Sequence, residues 1–136
     1  MANAMATYRF EAGFGEAEIL GLRESVAKQM HEAGVSGNSS YALINVLDEF
    51  CCNLMEYASA SWVEIRVDPG ASSISATLSD DGKPFDPSEA IKRLDPRQPA
   101  NVTDRRLGLF MIGHVAQGLN YRREGNVNHL EFSVKR

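Results

Sequence analysis

Apolar residues recur along this chain at two different spacings, and the changes from one to the other mark out its elements. Ile19, Leu22, Val26 and Met30 stand three or four residues apart. Their stripe predicts an amphipathic helix over about Glu16 to Ala33. Leu43, Val46, Leu47, Phe50, Leu54 and Tyr57 repeat that spacing and predict a second helix from Ser39 or Ser40 to Ala58. GVSGNSS lies between them, with two glycines and several side chains suited to stopping one helix and capping the next. TYRFEA, from Thr7 to Ala12, alternates instead and predicts a short edge strand. SWVEIRVD and ISATLSD, joined by PGASS, predict a hairpin over residues 62 to 80, with Trp62 in the core or at the hairpin end. RRLGLFMIGHVAQGL returns to helical spacing, with Leu109, Ile112 and Val115 or Ala116 inward. NYRREGNVNHLEFSVK predicts a closing hairpin that turns at EGN. Residues 81 to 104 hold four of the five prolines and are the least regular part, with a short helix around Ser88 to Leu94.

The resulting order is β-α-α-β-β-loop-α-β-β. Hairpins dominate and no βαβ alternation appears, which predicts an α+β fold: a two-layer sandwich whose mostly antiparallel sheet is covered on one face by helices.

Composition narrows the function classes. A chain of 136 residues, 43% hydrophobic and 24% charged, is expected to form one globular domain over residues 1–136, with residues 1–6 a tag or disordered. The formal net charge of -4 argues against general affinity for nucleic acid or an anionic membrane. The basic pair in YRREGN does not change that. No apolar run reaches the ~18 residues of a membrane span, and MANAMA lacks the features of a signal peptide. Cys51 and Cys52 are the only cysteines. Adjacent on one helix, they point about 100° apart, so they read as packing residues, and a cytoplasmic location fits. His31, His114 and His129 show no ligand spacing and read as surface or edge residues.

Polar chemistry interrupts this pattern in three places. Glu49 and Asn53 sit one turn apart beside the apolar stripe of the second helix. They are hard oxygen donors suited to Mg²⁺ or to orienting a hydroxyl, although a solvated helix flank has the same look. Asp80 ends a strand just before Gly82, where a carboxylate can accept from a pocket amine and a glycine lets a flat ring come close. An ordinary Asp-Gly turn reads alike. Arg105, Arg106 and Gly108 lead into a helix N-terminus, which favours anions.

The order of EFCCNLMEYA, DDGKPFDP and RRLGLFMI resembles the GHKL, or Bergerat-fold, ATPases, and most closely the anti-sigma factor serine kinases of bacterial partner-switching systems. The likeness runs from about Phe14 to Val134. It implies that Glu49 is the general base and Asn53 the Mg²⁺ ligand. It further implies that Asp80 accepts the exocyclic amine of adenine beside Gly82, with Phe85, Asp86 and Pro87 continuing the motif. Tyr57 stands where the family often has His. The third motif departs from G-R-G-L-G-L-F. Asp104 and Arg106 replace glycines, while Gly108 and Leu109 match, leaving Arg105, Arg106, Gly108 and Leu109 to face the phosphates. The implied cofactors are ATP and Mg²⁺. The implied activity is serine/threonine phosphorylation of a STAS-domain antagonist together with sigma factor binding, and homodimers are common in the family. The altered glycine loop keeps a second expectation open: a non-catalytic binding module with a degenerate nucleotide site.

Overall fold

The computed structural model describes residues 5–11, 15–55, 59–92 and 112–136. The two spacings become β1 (Ala6–Glu11), α1 (Glu16–Glu32), α2 (Gly37–Asn53), β2 (Trp62–Pro69), β3 (Ser73–Asp80), α3 (Pro87–Lys92), β4 (Gln117–Glu124) and β5 (Val127–Lys135). The strands form one sheet in the order β1-β2-β3-β5-β4, and every pairing is antiparallel. β1 is an edge strand, as its short alternating sequence predicts.

Period-two alternation puts Val63, Ile65, Val67, Ile74, Ala76, Leu78, Leu130, Phe132 and Val134 on the buried face. Their partners on the other face include Arg9, Glu64, Arg66, Thr77 and Glu131. The stripes of α1 and α2 join the buried face in a single core, where Phe50 of α2 meets Phe132 of β5 with ring centroids 5.5 Å apart and tilted by 58°. Fully burying a side chain such as Leu47 or Met30 contributes roughly 1.5–3 kcal/mol, and that sum sets the two layers against each other. This is the α+β sandwich that the sequence predicts.

The α1–α2 connection is built by its glycine. Gly34 adopts φ 73°, its N–H donates to His31 O, and Val35 N donates to Met30 O at 2.9 Å. These are the two bonds of a Schellman stop. α2 then begins at Gly37, earlier than Ser39, because the Ser36 side chain caps it by accepting from Ser39 N at 3.2 Å. Arg136 ties this corner to the β2–β3 turn, donating to Ala33 O at 2.6 Å and Gly70 O at 2.7 Å.

The third predicted helix is corrected in part. Residues 112–115 are helical, with Ile112 buried, but Gln117 to Leu119 belong to β4. Pairing with β5 wins here: Gln117 opposes Ser133, and Gly118 at φ 61° accommodates the irregular register before Asn120. Trp62 lies at the hairpin end, with the Arg9 guanidinium 4.6 Å over its ring. The end of α2 at Tyr57 and Ala58 falls outside the described residues.

Candidate functional site

The C-terminal end of β3 supplies the site's central group. Asp80 is only 3% exposed, an unusual burial for a carboxylate. The sheet register sets it opposite Asn128 of β5. Asp80 Oδ1 accepts from Gly82 N at 2.8 Å and from Asn128 Nδ2 at 3.0 Å. No donor among the described residues reaches its other oxygen, Oδ2. Burial pushes the Asp80 carboxyl above its ordinary range, and the hydrogen bonds from Asn128 and Gly82 oppose that push. Neighbouring Asp81 raises it further, while Arg123 lowers it.

The two aspartates of DDGK do different work. Asp81 turns to the start of β2, accepting from Ser61 N at 2.7 Å and Trp62 N at 3.1 Å, and bonding the Ser61 hydroxyl. Those donors hold its carboxyl below the usual range. Downstream, Asp86 caps α3 by accepting from Ser88 N at 2.9 Å, with Pro87 at the first helical position. The DP pair of the motif thus fixes where the loop ends.

Asp80 lines a narrow cleft of about 30 Å³ together with Phe50, Asn53, Phe85, Tyr121 and Asn128. Asn53 is 8% exposed, and its Nδ2 is buried without a hydrogen-bond partner among the described residues. An unpaired buried amide costs roughly 1–3 kcal/mol, so the position is unexplained by folding. A half-turn of the amide exchanges oxygen for nitrogen without changing shape, so the same position can present an oxygen to a cation. Just past Asn53 the helix widens into a π-type turn at residues 54 and 55, a feature that often accompanies functional positions. Glu49, one turn earlier, faces a larger groove of about 480 Å³ between α2 and the helical turn at Ile112 and Val115.

The structure therefore gathers Asn53, Asp80 and Phe85 around one cleft, with buried Gly82 bonded to Asp80 through its N–H and Glu49 lining a second groove along α2. Arg105, Arg106, Gly108 and Leu109 lie outside the described residues. Among the described residues no group of three or more His, Cys, Asp or Glu side chains is placed to hold a metal. Mg²⁺ needs no such cage, because it keeps several waters and accepts one or two protein oxygens. The Asn53 amide fits that demand.

Sequence reasoning missed Asn128, Tyr121 and Arg123. Asn128 Nδ2 also donates to Gly82 O at 3.2 Å and Lys83 O at 3.0 Å. Its Oδ1 accepts from Tyr121 Oη at 2.5 Å and from an Arg123 terminal nitrogen at 2.9 Å, and that same nitrogen donates to Gly82 O at 3.0 Å. The signal was present: in NVNHLEFSV the inward positions run back from Val134, Phe132 and Leu130 to Asn128, a polar residue at a core-facing strand position. The histidines add nothing to the cleft. His31 and His114 are exposed, and His129 is hydrogen-bonded to Ser79 Oγ at 2.9 Å on the outer sheet face. Cys51 is buried, and burial pushes its thiol well above the ordinary range, which leaves it unreactive.

The family model for the histidine kinase-like ATPase domain matches residues 16–134. A solved structure of the SiaB–SiaC complex from Pseudomonas aeruginosa superposes with a TM-score of 0.70 at 12% identity, covering 93% of this chain and 88% of that one. The RsbU and RsbW domains of a Mycobacterium tuberculosis protein superpose with a TM-score of 0.60 at 10% identity, covering 96% of this chain. This chain spans only 32% of that longer protein. Comparison with curated protein sequences returns no match. At such identities the structural likeness speaks for the fold, and the family match speaks for ancestry: the chain belongs to the histidine kinase-like ATPase domain family.

Proposed function

We propose that the protein binds ATP with Mg²⁺ and acts as an anti-sigma regulatory factor that phosphorylates a serine or threonine of a STAS-domain antagonist. The observation that carries the nucleotide reading is the buried Asp80 carboxylate, held at one oxygen by the protein and lacking a donor at the other among the described residues, at the wall of a cleft otherwise lined largely by apolar side chains. An acceptor in that setting suits the exocyclic amine of adenine and disfavours the carbonyl of guanine, since a buried acceptor facing an acceptor loses its hydrogen bond. The cleft of about 30 Å³ admits roughly one water. A purine therefore displaces side chains as it enters, and the partly exposed Phe85 is the first candidate.

Asn53 holds Mg²⁺ through its amide oxygen in this reading. The bound ion neutralises phosphate charge. Arg105, Arg106, Gly108 and Leu109 are assigned to the phosphates by their place in the motif alone. Glu49 takes the proton from the partner's hydroxyl as that oxygen bonds to the terminal phosphorus and the bond to the ADP oxygen breaks. The rest of the rate is positioning and charge stabilisation. One similar structure is a complex of two proteins, SiaB with SiaC, and this supports a partner protein as the acceptor; a sigma factor is proposed as a second partner from the motif resemblance alone. No helix among the described residues is long and apolar enough to cross a membrane, in keeping with the proposed cytoplasmic setting. A homodimer and a single domain over residues 1–136 complete the proposal. Transfer of label from γ-labelled ATP to STAS-domain proteins of the same genome tests it. Label on none of them, with ATP bound, contradicts the kinase activity.

A second reading has its own support: Asp104 and Arg106 stand where the family motif has glycines, and the cleft is narrow. A non-catalytic partner-binding module follows if ATP does not bind at all. Tight ATP binding gained by Arg106→Gly from a silent wild type supports that reading.

A further inference from the structure

We infer that Asn128 and Arg123 are positioning residues of the nucleotide site: Asn128 fixes one oxygen of Asp80, and Arg123 fixes both Asn128 and the Gly82 carbonyl, so that Asp80 Oδ2 is the acceptor offered to a base. The inference rests on the reading of the cleft as a nucleobase site. Asn128 has no capacity left for a ligand. Its two N–H groups are shared among Asp80 Oδ1, Gly82 O and Lys83 O, and its oxygen accepts from Tyr121 and Arg123. It acts through where it places other groups.

The orientation of its amide is the decisive point. Turned by 180°, Asn128 would aim its oxygen at the oxygens of Asp80, Gly82 and Lys83. On its far side the Arg123 guanidinium, which can only donate, can bond the amide only at its oxygen, and Tyr121 Oη donates to that same oxygen. They therefore fix which end faces Asp80. Arg123 does a second thing with the same nitrogen. By donating to Gly82 O at 3.0 Å it pins the loop whose Gly82 N–H also binds Asp80. The β4–β5 hairpin is thus the back wall of the carboxylate, reached from strands that no motif of the sequence marks.

The electrostatics point the same way. Of the groups around Asp80, the Asp81 carboxylate on the same loop and burial itself oppose ionisation, while Asn128, the Gly82 N–H and Arg123 favour it. Lys83 is exposed on that loop, and Tyr121 on β4 is committed to Asn128. Loss of Arg123 removes both a cation and the anchor of the Asn128 amide, so the carboxyl keeps its proton to higher pH, and with donors at Oδ1 that proton sits on Oδ2, which then donates instead of accepting.

The test uses the full chain as wild type, Arg123→Met and Arg123→Lys. The first readout is the titration of the Asp80 carboxyl by ¹³C NMR without nucleotide. The second is ATP affinity with Mg²⁺ from pH 5.5 to pH 8. In Arg123→Met we expect Asp80 to titrate at higher pH and ATP affinity to fall roughly three- to tenfold at pH 6, less at pH 8. Arg123→Lys restores part of both. A folded Arg123→Met whose Asp80 titrates as in wild type, with unchanged affinity at pH 6, overturns the inference. Should Arg123→Met not fold, Tyr121→Phe removes one donor to the Asn128 oxygen and is read against the same two outcomes. A wild type that binds no ATP defeats the nucleotide reading, while the Asp80 titration still decides the positioning role.

Discussion

Asn128 donates to Asp80 Oδ1 at 3.0 Å across the β3–β5 pair, so a carboxylate buried at a strand end is held by an amide from the neighbouring strand. Its ionisation has a cost that the proposed adenine contact explains and folding does not. The folded-state pKa of Asp80 lies above its ordinary value of 3.8, so the folded chain takes up this proton more readily than the unfolded one. The stabilising contribution is full below the unfolded value and is lost as pH rises through the raised folded value. Asp80→Asn should therefore match or exceed the wild type in thermal stability at pH 7 and lose that advantage in acid. It should also weaken ATP binding by about 1.5–3 kcal/mol, the worth of a hydrogen bond to a charged group. Calorimetry at two pH values and an ATP titration check both halves.

Asn53 makes a matching case with a neutral group. Its Nδ2 is buried without a hydrogen-bond partner among the described residues, so Asn53→Ala should leave unfolding free energy within about 1 kcal/mol of wild type. Mg²⁺-dependent ATP binding should fall at least tenfold, about 1.4 kcal/mol. Denaturant unfolding and titration with and without Mg²⁺ measure the two effects separately.

Glu49 should separate binding from chemistry. It faces the groove beside the cleft and does not line the cleft itself. Glu49→Ala is predicted to keep ATP affinity within about threefold, or about 0.7 kcal/mol, and to slow phosphoryl transfer by about 10²–10⁴-fold. Single-turnover transfer from labelled ATP at saturating nucleotide gives the comparison, and unimpaired transfer removes the base assignment.

Core and surface should respond on different scales. Phe132 is 3% exposed and packs on Phe50, so Phe132→Ala should cost about 3–5 kcal/mol. Arg23 joins α1 to α2 through Asp48 with contacts of 2.6 and 3.0 Å, but its side chain is 48% exposed. Arg23→Ala should cost no more than about 1 kcal/mol. Urea unfolding of the two variants sets them side by side.

Much of the fold was legible because burial alternates at the period of each element. Val63, Ile65 and Val67 mark β2 as plainly as Val26 and Met30 mark α1. The motif also singled out Asp80 from Asp81, and the structure separates them: one lines the cleft, the other caps β2. What escaped was decided by tertiary pairing. Gln117 to Leu119 carry helical spacing, yet the open edge of β5 offers hydrogen bonds that recruit them as strand. Asn128 and Arg123 acquire meaning only when β5 is laid against β3, since nothing local in REGNVN relates them to a carboxylate 48 residues before Asn128.

The most direct test of the account is calorimetric titration of the wild-type chain with ATP and with GTP in the presence of Mg²⁺, repeated with Asp80→Asn. Saturable ATP binding in the micromolar range is expected, with GTP weaker by at least about tenfold and ATP binding to the variant weaker by about 1.5–3 kcal/mol. ATP binding that persists unchanged in Asp80→Asn, or no ATP binding by the wild type, contradicts it.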